Sequence, residues 1–145
     1  MITPNPTPSE ITVSLEWAEK LQVAGWPQEQ SVFYWQWYED DREWPTWDGN
    51  SEWYCDHMHV SLDEYDDGQC YAAPTAEEVL RKLPAHIQDD RMAILRMGDT
   101  YGVYYLHHES GYVDERRHLR LSDTLANAAA SMFVFLAEQK LLPTP

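Results

Sequence analysis

Three side chains with affinity for soft metal ions occupy alternate positions: Cys55, His57 and His59. On a strand, alternation puts all three on one face, about 6 to 7 Å apart along it. Thiolate and imidazole bind zinc or copper, and Cys70, His107 or His108 could supply a fourth ligand. A flat strand nevertheless spaces three ligands too widely to meet one ion easily, and metal sites usually draw ligand pairs from a tight turn. The simpler expectation is a set of polar residues on the outer face of a half-buried sheet. A metal-binding module or metal-dependent enzyme built on Cys55, His57 and His59 is the alternative.

Other catalytic signatures fall away on spacing. His107-His108-Glu109 lacks the second histidine at helical spacing that a zinc peptidase needs. Glu138 and Lys140 resemble the end of a nuclease motif, but they sit on the last turn of a helix with no acidic strand just before them. The chain has no phosphate-binding P-loop, dinucleotide glycine fingerprint or nucleophile elbow. Arg116, Arg117, His118 and Arg120 form the one cationic cluster, expected to pair with carboxylates rather than grip a phosphate. The expectation is a non-enzymatic protein with no catalytic residues and no cofactor.

Charge is the stronger signal. Among 145 residues, 25 acids against ten Lys plus Arg give a formal charge of −15. That balance argues against direct binding to nucleic-acid phosphates or an anionic membrane, which both require surplus cations. Between residues 39 and 67 stand eleven acids and one base, Arg42, a net −10. The candidate partner-binding residues are Glu39, Asp40, Asp41, Glu43, Trp44, Trp47 and Asp48 in a first loop, and Asp63, Glu64, Tyr65, Asp66 and Asp67 in a second. Rings supply buried area and anchors, while carboxylates meet Lys and Arg on a partner. The competing reading is a solvated acidic face whose tryptophans fold back into the core.

The elements that position these residues follow from periodicity. Pro4, Pro6 and Pro8 make the first ten residues an extended arm without helix. Ser14 caps a helix whose Leu15, Ala18 and Leu21 share a stripe, and Gly25 and Pro27 end it. Residues 31–38, SVFYWQWY, read as a strand with Phe33, Trp35 and Trp37 on one side and Tyr34, Gln36 and Tyr38 on the other. Residues 51–62 read as the returning strand, between the two acidic loops. Thr75 and Glu78 fit a capping box for a helix ended by Pro84. MAILRM from Met92 and TYGVYYL from Thr100 form a second hairpin around Gly98-Asp99. Ser122 or Asp123 caps a last helix carrying Leu125, Ala129, Met132, Phe133 and Leu136 on one side, closed before Pro143.

The predicted order is helix, hairpin, helix, hairpin, helix: an α+β fold with an antiparallel sheet of about four strands, one domain over 11–142 and a tail over 143–145. Two cysteines make no disulfide framework, and the start MITPNPTPSE lacks the blocks of a secretory signal, so a reducing, cytoplasmic setting is expected.

Three segments, VSLEWAEKLQVAGWPQ, APTAEEVLRKLP from Ala73 and TLANAAASMFVFLAEQKLL, give the chain its likeness to others. It resembles small acidic proteins encoded by phages and prophages, mostly without assigned activity. The resemblance implies an accessory protein acting inside a bacterium by binding and redirecting a host enzyme. It carries no functional residue across, because the segment from Trp35 to Asp67 is particular to this chain. Composition and resemblance together point to a host protein with a basic surface as partner. Nucleic-acid machines such as RNA polymerase with its sigma factor, or a CRISPR effector, have such surfaces. The acidic face would inhibit or redirect them by partial nucleic-acid mimicry. A minor virion or assembly protein is a further alternative.

Overall fold

In the computed structural model, which describes residues 7–38, 52–58, 60–108 and 114–143, the chain is α+β, with two antiparallel sheets and four α-helices among those residues. The proline-rich arm is not wholly extended: Pro8–Ile11 forms a short helix, α1. Proline at the first helical position loses no hydrogen bond, and the Glu10 carboxylate accepts from the Thr7 N–H (3.1 Å). Thr12 and Val13 then run extended and buried, and Ser14 caps α2 (Leu15–Val23) by accepting from the Trp17 N–H.

Strand β1 (Tyr34–Tyr38) is the centre of a three-stranded sheet, flanked by β2 (Glu52–Asp56) and β3 (Cys70–Ala72). The returning strand is shorter than its apolar alternation suggested. It stops at Asp56, and a 3₁₀ turn over Leu62–Glu64 takes the place of its expected end. Asp56 helps end it, since its carboxylate accepts from the His57 N–H (2.7 Å) and turns the backbone away from the ladder. Strand β3 was not expected, because only three residues pair.

The capping box at Thr75 and Glu78 opens α3 (Ala76–Lys82), as predicted. A four-stranded sheet follows in the order β4 (His86–Ile87), β5 (Asp90–Met97), β6 (Thr100–His108), β7 (Asp114–Ser122). The Gly98-Asp99 turn joins β5 and β6, with Gly98 at φ 59. The described residues therefore hold seven strands in two sheets, not about four in one. Strand β7 lacks a simple period of two. A bulge opposite Tyr104, with His118 at φ 60, puts Arg117, His118 and Arg120 on one side.

The last helix, α4 (Leu125–Glu138), is capped by Thr124, whose hydroxyl accepts from the Asn127 N–H (3.1 Å), one residue later than expected. It lies against β6 and β7 and buries Ala126, Ala128, Ala129, Ala130, Met132, Phe133 and Leu136. The alanines let α2 and α3 approach it closely. Val103 and Tyr105 fill the sheet side of this core, and Trp26 meets Phe133 edge-on at 5.1 Å. The strap Thr12–Ser14 ties the parts together. The Val13 N–H donates to the Pro74 carbonyl (3.0 Å), the Trp35 indole N–H to the Val13 carbonyl (2.9 Å), and the Ser14 N–H to Asn127 Oδ1 on α4 (2.8 Å). No helix among the described residues is long and apolar enough to cross a membrane.

Candidate functional site: the acidic turn and its buried anchor

The three-stranded sheet presents two unlike faces, fixed by register. Trp35 pairs with Cys55 and Tyr71, Gln36 with Tyr54 and Cys70, and Trp37 with Trp53. One face therefore carries Trp35, Trp37, Trp53, Cys55 and Tyr71, all partly covered. Its rings run in a row: Trp37 to Trp53 at 5.4 Å, then Trp53 to Tyr71 at 5.8 Å.

The other face centres on Gln36, which is 0% exposed. A buried carboxamide is costly unless every donor and acceptor is met. Here they are. Its Nε2 donates to the carbonyls of Asp56 (3.3 Å) and His57 (3.0 Å), and its Oε1 accepts from the hydroxyls of Tyr54 (3.3 Å) and Tyr65. Burial, then the hydrogen bond with Tyr54, pushes the Tyr65 hydroxyl well above the usual phenol range, so it remains a donor.

That network locates the second acidic loop. Tyr65 folds inward and packs against the core, while Asp63, Glu64, Asp66 and Asp67 around it are exposed. None of the four forms a salt bridge among the described residues. The far end of the loop is also held. The Gln69 N–H donates to the Asp66 carbonyl (3.1 Å), and the Trp37 N–H to the Gln69 carbonyl (2.8 Å). Four unpaired carboxylates thus stand on a turn fastened to β1 at both ends. The first-loop residues Glu39, Asp40, Asp41, Glu43, Trp44, Trp47 and Asp48 lie outside the described residues, as does His59.

Among the described residues the metal alternative loses its geometry. Cys55 is half-buried with its Sγ 3.4 Å from the Thr12 hydroxyl, and burial raises its thiol pKa, opposing the thiolate that binds metal. His57 lies beyond the end of β2, exposed, with Nδ1 3.3 Å from the Asp56 carboxylate. Cys70 cannot be the fourth ligand: its register with Gln36 places it on the opposite face from Cys55, and burial lifts its pKa to about 11. His107 belongs to the other sheet, where its Nδ1 meets the buried Asp90 carboxylate at 2.7 Å. Among the described residues, no three His, Cys, Asp or Glu side chains converge as metal ligands.

The cationic cluster divides. Arg117 pairs with Asp90 (3.5 Å) and Glu115 (3.6 Å), as charge balance suggested. Arg116 and Arg120 instead stand over the rings of Tyr104 (5.5 Å) and Phe135 (4.0 Å). Reading the sequence also missed the central role of Gln36. Its signal was present: it is the sole amide in a run of rings, on the side that alternation shares with Tyr34. Comparison of the chain with protein-family models, curated protein sequences and solved structures returns no match.

Proposed function

We propose that this protein is a non-enzymatic binder that docks its acidic hairpin region on a basic surface of another protein. The observation that carries the reading is the turn Asp63–Asp67. Its carboxylates are exposed and unpaired among the described residues, while Tyr65 and Gln36 hold the turn to the sheet. Preorganised charge of this kind speeds encounter with a cationic surface and loses less entropy on docking than a loose loop would. The first acidic loop, with Trp44 and Trp47, would extend the same surface and add anchors.

The resemblance to phage-encoded proteins supplies the setting: the cytoplasm of an infected bacterium, with a host nucleic-acid machine as target. A polymerase with its sigma factor or a CRISPR effector offers a groove built for phosphates, which a carboxylate-rich face would fill. The test is affinity capture from bacterial lysate using the full chain, with stepwise elution by salt. The expected result is a partner with a cationic face released between roughly 0.2 and 0.5 M salt, where screening reaches contact distances. Capture of a partner whose retention is indifferent to salt would overturn the reading, and so would recovery of none.

A further inference from the structure

We infer that the groove between α2 and α4 is a binding site for a small organic acid, one carboxylate on an apolar body, with Arg120 as its anion-binding group. The groove is open to solvent and has a volume of about 670 Å³. Its walls are Trp17 and Val23 from α2 and Val134 and Phe135 from α4, and Arg120 enters from β7. Val23, 89% exposed, forms the open rim of the groove. The volume lies within the range of small-molecule sites, and the walls combine apolar side chains with a few charged ones: Arg120, Lys20, Glu19 and Glu138.

Arg120 is the observation that points to a ligand. Its guanidinium lies over the Phe135 ring at 4.0 Å, and its buried Nε has no hydrogen-bond partner. No carboxylate among the described residues pairs with it, in a chain with 25 acids. Glu19 and Glu138 line the same groove, yet both are exposed and neither forms an ion pair with Arg120. Lys20, also on the wall, is committed to Glu16 at 3.1 Å and to the face of Trp17 at 4.4 Å. A planar cation fixed on an aromatic ring and lacking a carboxylate is suited to accept one from a ligand.

The same surroundings select the ligand class. Glu19 and Glu138 would repel a dianionic phosphate more than a single carboxylate. The rings and valines reward an apolar body rather than a sugar. This site uses none of the residues of the acidic turn, so the two readings fail independently.

The test is a titration of the full chain with indole-3-acetate, its neutral amide and phenyl phosphate, followed by NMR at the Arg120 Nε–H and the Trp17 indole N–H. The acid is expected to give saturable shifts at both signals, with affinity at least about tenfold above that of the amide. Arg120→Gln should erase that preference, so that acid and amide bind the variant with equal affinity. The acid–amide comparison in the wild-type chain stands even if the variant does not fold. Equal binding of acid and amide, tighter binding of phenyl phosphate, or no saturable shift overturns the proposal.

Discussion

The two sheets solve the problem of buried polarity in different ways. In the three-stranded sheet the buried polar group is neutral. Gln36 meets four partners, and the nearby acids are left outside on the turn. In the four-stranded sheet it is charged. Asp90, 5% exposed, is met by His107 and Arg117. The charge count follows the same division: residues 1–84 carry seventeen acids and four Lys plus Arg, whereas residues 85–145 carry eight and six. The second sheet meets its buried carboxylate internally, whereas the turn beside the first displays four carboxylates with no ion-pair partner among the described residues. A surface charge with no structural partner is the kind a binding function can use.

The comparison breaks first at Gln36. Gln36→Leu should lower unfolding free energy by about 3 to 5 kcal/mol, since two hydroxyls and two carbonyls lose a buried partner at once. Urea denaturation measures the loss. Hydrogen exchange over residues 61–69 should quicken before the rest of the chain if the network holds the turn.

On the other side, Leu136→Ala in α4 should cost about 2 to 5 kcal/mol, with no selective loosening of the acidic turn. Asn127→Ala removes the tie between the strap and α4 and should cost about 1 to 2 kcal/mol.

High pH sharpens the contrast further. Burial lifts Cys70 to about 11 and Tyr105 to about 12, so both keep their protons in the folded state when the unfolded chain has lost them. The folded state then holds more protons. Their contribution is fully present below about pH 9 for Cys70 and about pH 10 for Tyr105, and it is lost as pH rises through the folded values. The urea midpoint should therefore fall steadily from pH 9 to 11, and Cys70→Ala should flatten the first part of that fall. The smallest effect is expected for the fourfold variant Asp63→Asn, Glu64→Gln, Asp66→Asn, Asp67→Asn. Its stability should change by less than about 0.5 kcal/mol, because these exposed groups have no partner to lose.

Much of the frame was legible in the chain because caps and apolar stripes are local. Ser14, the Thr75–Glu78 box and the alternation through Tyr34 and Gln36 each fixed an element or a face. What escaped was set by distant partners. Strand β7 hides behind charged residues and a bulge, as an edge strand protected from further pairing would. Strand β3 exists because β1 has a free side to pair, which three residues of sequence cannot announce. The acid cluster was visible as composition. That Tyr65 turns inward while its neighbours face water depended on an amide 29 residues earlier.

The central claim is that the acidic turn is a rigid docking surface, and association kinetics with the captured partner test it most directly. For the wild-type chain, the association rate constant should fall about tenfold or more between roughly 50 and 500 mM salt, while the fourfold neutralised variant should start slow and barely respond. Equal rates and equal salt dependence for the two proteins would contradict the account.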